Sequence, residues 1–189
     1  MQFVLASASP RRKELFKKIA KNFEIDAAKG EERAKKTLPP AEYAETLAAH
    51  KAREIAAKKE HFGKVVVGAD TVVAICGKIL GKPKDADEAK EMLRLLSGKE
   101  HSVFTGVCVI FEDGEEVISH EETKVKFKPL TEEFICAYVA GGSPMDKAGA
   151  YGIQDGVPTE CVRGSIDNVI GLPTELLARV LREKGATEK

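Results

Sequence analysis

The stretch Leu5-Ala6-Ser7-Ala8-Ser9-Pro10-Arg11-Arg12 marks the passage from a strand to a helix. Apolar residues over 2–6 predict a short buried strand. Ser9 supplies the hydroxyl that a helix N-cap prefers, and Pro10 fits the first helical position. A helix is therefore predicted over residues 10–20, directly after the strand, as is typical of α/β proteins.

Arg11 and Arg12 lie in the first turn of this predicted helix. A cation there normally opposes the helix dipole. The conflict disappears if an anionic group such as a phosphate binds beside the two guanidinium groups. The alternative is an ordinary strand–helix corner whose arginines point into solvent.

The rest of the chain alternates strand and helix patterns. Further strands are predicted over residues 23–27, 65–75, 101–111 and 116–127, and a short hairpin around 159–170. Further helices are predicted over residues 40–61, 85–96, 131–140 and 173–184. Residues 30–40 and 141–156 have the composition of loops. The order predicts an α/β protein with a mixed sheet. Because no linker interrupts the pattern, any two lobes are interleaved in sequence.

Charge and cysteine content narrow the classes of function. The 30 Lys and Arg residues balance the 30 Asp and Glu residues, which argues against binding nucleic acid through a strong positive field. The 4 cysteines form no C-x-x-C pair, so a zinc site is not expected. We expect instead that the cysteines are reduced thiols of a cytoplasmic protein. No apolar run approaches the length of a membrane span.

Asp70 breaks an apolar strand at its end. A carboxylate there can point into a cleft, because open α/β sheets place their sites beyond the strand ends. It could act as a general base or bind a magnesium ion. The alternative is a turn aspartate that bonds its own backbone.

Two lysines are also candidates. Lys51 lies on the apolar stripe of a predicted helix, between Leu47 and Ile55, where it either snorkels to solvent or faces inward. An inward lysine would suit a polyphosphate. Lys82 lies in the stiff loop Gly81-Lys82-Pro83 and is either solvated or part of the same site.

Residues 146–154, Asp-Lys-Ala-Gly-Ala-Tyr-Gly-Ile-Gln, mix small residues with groups that could contact a base. Tyr151 could stack on a base, and Gln154 could hydrogen-bond its edge. The alternative is a tight turn with Tyr151 in the core. His101 has no partner at metal-ligand spacing and is interpreted as structural.

Together these segments resemble the Maf family of nucleoside triphosphate pyrophosphatases. The matching blocks are residues 5–12, 67–71, 81–83, 96–98 with His101, 146–154 and 168–173. The resemblance implies one domain over residues 1–189, with an elongated mixed β-sheet flanked by helices and two interleaved lobes around a central cleft, as in inosine triphosphate pyrophosphatases. It also implies hydrolysis between the α and β phosphates, and suggests a homodimer.

The resemblance assigns roles to particular residues. Asp70 matches a proton acceptor, and with Lys51 and Lys82 it forms the expected catalytic set. The expected substrate-binding set is Ser7, Arg12, Thr71 and Gln154 from the resemblance, with Arg11 added from its place in the first turn of the predicted helix. Asp70 and, by looser alignment, Glu31 are the expected ligands of a divalent cation, Mg²⁺ or alternatively Mn²⁺.

The Tyr-Gly-Ile-Gln sequence resembles the branch of the family that acts on dTTP and UTP. A pyrophosphatase for another base, such as 7-methyl-GTP, and a non-catalytic nucleotide-binding regulator of cell division are the alternatives. Two positions depart from the family pattern: Ser143 stands where a glutamate is usual, and Asp155 where a glycine is common. We expect either reduced turnover or compensation by a neighbouring acid.

Overall fold

The computed structural model describes residues 1–29, 34 and 37–186. The strands there are β1 (Phe3–Leu5), β2 (Phe23–Ile25), β3 (Val65–Ile75), β4 (Lys78–Leu80), β5 (Glu100–Ile110), β6 (Glu116–Phe127) and β7 (Thr159–Arg163). The α-helices are α1 (Pro10–Phe16), α2 (Pro40–Ala56), α3 (Ala86–Leu96), α4 (Glu132–Ala140), α5 (Ile166–Ile170) and α6 (Thr174–Glu183). Within this part of the chain, no helix combines the length and apolar character that crossing a membrane requires.

The strands form one sheet in the order β2-β1-β3-β5-β6-β7, and β4 pairs with β3. β1 is parallel to both β2 and β3. β4 is antiparallel to β3, and β7 is antiparallel to β6. The sheet is therefore mixed, which confirms the predicted α/β class.

The chain divides into two compact units, each built from separate stretches of sequence. The first unit comprises Met1–Asp70, Thr105–Glu121 and Gly171–Lys189. The second unit comprises Thr71–Phe104 and Glu122–Ile170.

In the first unit, small and β-branched residues fill the space between α2 and the sheet. Val4 of β1 and Val66 of β3 pack against Ala48, Ala52 and Ile55 of α2. The small side chains of α2 let the helix lie close to the sheet. The position of any residue on this face of α2 is therefore closely set by β3.

The core of the second unit joins α3, α4 and β6. Leu93 and Leu96 of α3 pack with Ile135 of α4 and with Phe127 of β6. Tyr151 belongs to the same cluster and is only 5% exposed. Segment 141–156 is therefore anchored in the core at Tyr151 although its composition is that of a loop.

Two predicted helices end earlier in the structure, and one predicted hairpin does not form. The helix predicted over 10–20 ends at Phe16, where i→i−3 hydrogen bonds tighten the chain. The helix predicted over 40–61 ends at Ala56 and is followed by a short 3₁₀ turn. The hairpin predicted around 159–170 is wrong, because only β7 is a strand. Ser165 accepts a hydrogen bond from the Asn168 N–H and starts α5 instead.

Candidate active site

The strand–helix corner of the first unit forms as predicted. Ser9 caps α1, and its Oγ accepts a hydrogen bond from the backbone N–H of Arg12 at 3.4 Å. The Oγ of Ser7 accepts from the backbone N–H of Ser9 at 3.2 Å and from Nη1 of Arg12 at 3.4 Å. The two serine hydroxyls therefore organise the corner.

Arg12 is held by the protein rather than pointing into solvent. Its Nε donates to the carbonyl oxygen of Gly171 at 2.8 Å, 159 residues away in sequence. The contact with Ser7 fixes the other side of the guanidinium. The solvent-exposed alternative is therefore wrong for Arg12. Arg11 lies beside it and is half-buried.

Lys51 and Asp70 form an ion pair. Nζ of Lys51 donates to Oδ1 of Asp70 at 2.5 Å, and each side chain is only 12% exposed. Lys51 thus faces inward rather than snorkelling to solvent. Asp70 lies inside strand β3 rather than in a turn, so the structure excludes the alternative for each residue.

Gly68 explains why these two side chains meet. Gly68 and Asp70 are two residues apart on a strand and share one face of β3. A Cβ at Gly68 would lie 2.8 Å from the backbone nitrogen of Ala52 and closer still to the carbonyl oxygen of Ala48. Helix α2 therefore packs directly on the backbone of Gly68. This close packing places Lys51, the residue before Ala52, above Asp70.

The electrostatics of this pair favour a preformed site. A nearly buried charge is strongly unfavourable unless an opposite charge compensates it. Lys51 and Asp70 compensate each other, so neither can be removed alone without exposing the other to an apolar environment. The arrangement keeps a carboxylate and an ammonium group together on the helix-covered face of β3.

The second unit holds the remaining described candidates, Thr71, Lys82 and Gln154. Lys82 is exposed in the loop that follows β4. The carbonyl oxygen of Gly81 in that loop accepts a hydrogen bond from the Gly149 N–H at 3.0 Å. The loop with Lys82 and the segment that leads to Gln154 are therefore joined. Gln154 itself is exposed, and Thr71 is half-buried in β3.

Tyr151 does not offer its ring for stacking on a base. Its hydroxyl lies 2.8 Å from Nε2 of His101, and its ring packs edge-to-face on Phe127 at 4.7 Å. The core alternative is therefore correct for Tyr151. His101 is also buried, and burial lowers its pKa to about 4. Its contacts agree with the structural role predicted for it.

The predicted cation ligands are only partly placed. Glu31 lies outside the described residues. Asp70 offers carboxylate oxygens, which are the ligands that Mg²⁺ and Mn²⁺ prefer, so its chemistry fits a divalent cation.

A second cluster of possible cation ligands lies near the end of α2. Among the described residues, ligand atoms of Asp26, Glu60 and His61 lie within 4.8 Å of one another. Lys58 donates to Oδ2 of Asp26 at 2.5 Å, and this hydrogen bond, with that of His61, lowers the pKa of Asp26. An ammonium group therefore already compensates Asp26, and this group adds no support for a metal centre.

Sequence reasoning missed one residue beside the candidate site. Tyr138 of α4 bonds to Asp155, the neighbour of Gln154, at 2.6 Å. A tyrosine in a helix gives no signal of such a contact, because its partner lies 17 residues later in an irregular segment. The unusual Asp155 was the only available indication.

The chain is similar to known proteins over nearly its whole length. A family model described as "Maf-like protein" matches residues 2–184. A dTTP/UTP pyrophosphatase of Thermococcus gammatolerans is 49% identical over 184 residues, which cover 96% of this chain and 96% of the relative. A protein of the same name from Symbiobacterium thermophilum is 44% identical and covers 97% of this chain and 94% of the relative.

Two solved structures share the fold at low sequence identity. A HAM1 protein from Coxiella burnetii has a TM-score of 0.55 and 18% identity, and covers 97% of this chain and 99% of that one. The Ham1 protein of Staphylococcus aureus has a TM-score of 0.53 and 14% identity, and covers 97% of this chain and 100% of that one. These likenesses confirm the expected type of fold.

Proposed function

The chain belongs to the Maf family, and from this membership we propose that it hydrolyses dTTP and UTP to the nucleoside monophosphate and pyrophosphate. The names of relatives that are 44–49% identical over nearly the whole chain support this substrate class. The observation that carries the chemistry is the nearly buried pair of Lys51 and Asp70, 2.5 Å apart.

Asp70 acts as the proton acceptor in this proposal. Its carboxylate orients a water molecule and takes one of its protons as the water oxygen bonds to the α phosphorus. The bond from the α phosphorus to the bridging oxygen breaks, and pyrophosphate leaves with the electron pair. No covalent intermediate with the protein is formed.

The cationic side chains bind the phosphates. We assign this role to Lys51, Arg11, Arg12 and Lys82, with the hydroxyl of Ser7. Lys51 would exchange its contact with Asp70 for a phosphate oxygen as the nucleotide binds. Positioning and charge compensation then supply most of the rate enhancement, as is usual for phosphoryl chemistry.

Asp70 and Glu31 would hold a divalent cation, Mg²⁺ or alternatively Mn²⁺. When bound, such a cation offsets negative charge on the phosphates. Coordination also lowers the basicity of a carboxylate. Asp70 can therefore serve fully either as ligand or as proton acceptor, but not as both at once.

Base selection is assigned to Gln154, Thr71 and Arg12. The amide of Gln154 can donate to a carbonyl and accept from the imide N–H of thymine or uracil. It does not sense the 5-methyl group, so similar activity on dTTP and UTP is expected. The homodimer, the central cleft and the cytoplasmic location remain predictions from the sequence.

Pyrophosphate release from a panel of nucleoside triphosphates tests the proposal. The panel includes dTTP, UTP, 7-methyl-GTP and the common purine nucleotides, each with Mg²⁺. We expect release mainly from dTTP and UTP. In Asp70→Asn, kcat should fall at least about 100-fold, because a positioned general base contributes that much or more.

Asp113→Asn is the matched control. Asp113 accepts a hydrogen bond from the Glu115 N–H in the turn between β5 and β6, within the same unit. Its replacement should leave turnover within about twofold. Near-normal turnover of Asp70→Asn would reject the role of Asp70 as general base. Nucleotide binding without any hydrolysis by the wild type would instead favour the regulator.

A further inference from the structure

Asp155 lies at the centre of a polar network in the second unit. Its Oδ2 accepts hydrogen bonds from the hydroxyl of Tyr138 at 2.6 Å and from the hydroxyl of Ser143 at 2.7 Å. Nζ of Lys147 lies 3.6 Å from the same oxygen. One carboxylate oxygen thus connects α4 with two points of the segment before Gln154.

Lys147 closes the network from the other side. Its side chain is only 11% exposed, and Nζ donates to the carbonyl oxygen of Ser143 at 2.5 Å and to its Oγ at 2.9 Å. Nζ also pairs with Asp146 at 2.9 Å. The contacts of Lys147 are therefore made within segment 141–156 itself.

Gly152 shows how tightly the network encloses the backbone. Its N–H donates to the hydroxyl of Tyr138 at 3.0 Å, and that hydroxyl in turn donates a hydrogen bond to Asp155. A Cβ at Gly152 would lie 2.8 Å from both Asp155 Oδ2 and Lys147 Cε. The backbone on one side of Gln154 and the carboxylate on its other side are therefore bound to the same tyrosine.

The charge state of Asp155 agrees with this geometry. Burial alone would raise the pKa of Asp155, but the hydrogen bonds from Tyr138 and Ser143 and the charge of Lys147 outweigh it and lower the pKa. Burial, and then the bond to Asp155, raise the pKa of Tyr138. Tyr138 therefore remains a donor to an ionised carboxylate at neutral pH.

We propose that Asp155 is a positioning residue for base selection, which holds the short turn Ile153–Asp155 so that Gln154 presents its amide in one orientation. Gln154 is exposed and lies between two residues of the network, so its backbone depends on them. The inference deepens the proposed function and depends on it for the identity of the base. Asp155 acts through Gln154 and need not touch the nucleotide.

The test compares Asp155→Ala and Asp155→Asn with the wild type. For each protein, kcat and KM are measured with dTTP and with GTP. In Asp155→Ala, we expect the preference for dTTP over GTP in kcat/KM to fall about tenfold, mainly through KM for dTTP. Asp155→Asn should recover most of the preference, because its amide oxygen can still accept from both hydroxyls.

Glu132→Ala is the matched control. Glu132 lies at the start of α4, the helix of Tyr138, and accepts two hydrogen bonds of 2.8 Å from Arg94. Its loss removes an exposed ion pair from the same helix and should leave the preference unchanged. A purely structural role for Asp155 would lower kcat/KM equally for both nucleotides. That result, or a preference within twofold of the wild type in Asp155→Ala, would overturn the proposal.

A second measurement separates this proposal from the proposed function. The rise in Tm that saturating dTMP produces is compared with the rise that saturating GMP produces. This measurement requires no hydrolysis. If the wild type releases no pyrophosphate, the proposed function fails. The positioning role then stands only if dTMP raises the Tm of the wild type more than GMP does and Asp155→Ala abolishes this difference. Equal shifts in wild type and variant, or no shift in either, would refute it.

Discussion

Replacing Gly68 with alanine tests whether close packing of α2 on β3 positions Lys51 and Asp70 for their proposed roles. The added Cβ would lie 2.8 Å from the backbone nitrogen of Ala52, whereas ordinary contacts begin at 3.4 Å. The nearest atoms belong to the backbone of α2, so rotation of a side chain cannot relieve the clash. The helix must move, and Lys51 moves with it.

The expected effect follows from the size of this shift. Helix α2 has to withdraw by roughly 0.6 Å at Ala52, and by more at Ala48. Overpacking of this kind costs about 1–3 kcal/mol of stability. A displacement near 1 Å at a catalytic group can lower turnover about 100-fold. We therefore expect kcat for dTTP to fall at least tenfold in Gly68→Ala, with the protein still folded.

Gly106→Ala provides the control for destabilisation. A Cβ at Gly106 would lie 2.5 Å from the carbonyl oxygen of Ala44, near the start of the same helix and seven residues before Lys51. Both variants are compared by urea denaturation and by pyrophosphate release. The reasoning is refuted if Gly68→Ala retains turnover, or if the two variants lose stability and turnover in the same proportion.

Three further outcomes are expected. Lys51→Met should lower stability by about 2 kcal/mol in urea denaturation, because it leaves Asp70 uncompensated, and adding Asp70→Asn should restore stability but not turnover. Gln154→Ala should reduce the preference for dTTP and UTP in kcat/KM more than it reduces kcat, as measured across the nucleotide panel. An equal loss of kcat/KM for all nucleotides would contradict the role of Gln154. Burial lowers the pKa of His101 from 6.5 to about 4, so between these values the unfolded chain binds a proton that the folded chain does not. Stability should therefore fall by about 3 kcal/mol as pH drops from 6.5 to 4, and His101→Phe should remove that part of the slope in pH-dependent denaturation.

Local patterns predicted most elements of the fold. The apolar run that ends at Asp70 predicts β3, and the spacing of apolar residues in 85–96 predicts α3. Both patterns reflect burial on one face or on both, which sequence periodicity records directly. The prediction of a second strand after β7 was wrong, because the capping contact of Ser165 with Asn168 outweighs a weak strand pattern.

The candidate site was only partly predictable from the residues themselves. Lys51 was conspicuous because it interrupts an apolar stripe, but its contact with Asp70 depends on helix packing at Gly68. Tyr151 allowed two interpretations, since a glycine-rich segment has no periodicity that would reveal which side chains are buried. Tyr138 was missed because its contact with Asp155 joins a regular helix to an irregular segment.

The position of Asp70 also bears on the choice between an enzyme and a nucleotide-binding regulator. A binding site for a triphosphate gains from cations and loses from any carboxylate near the phosphates, since like charges repel. In this chain the lysine assigned to the phosphates is paired at 2.5 Å with an aspartate whose side chain is only 12% exposed. For binding alone, Asp70 would compete with the ligand for Lys51 and weaken affinity. For hydrolysis, the same carboxylate is needed to accept a proton from water. Asp70→Asn should therefore bind a non-hydrolysable analogue of dTTP at least as tightly as the wild type, as measured by calorimetric titration, while it loses turnover of dTTP itself. Weaker binding by the variant would favour a role of Asp70 in holding the nucleotide.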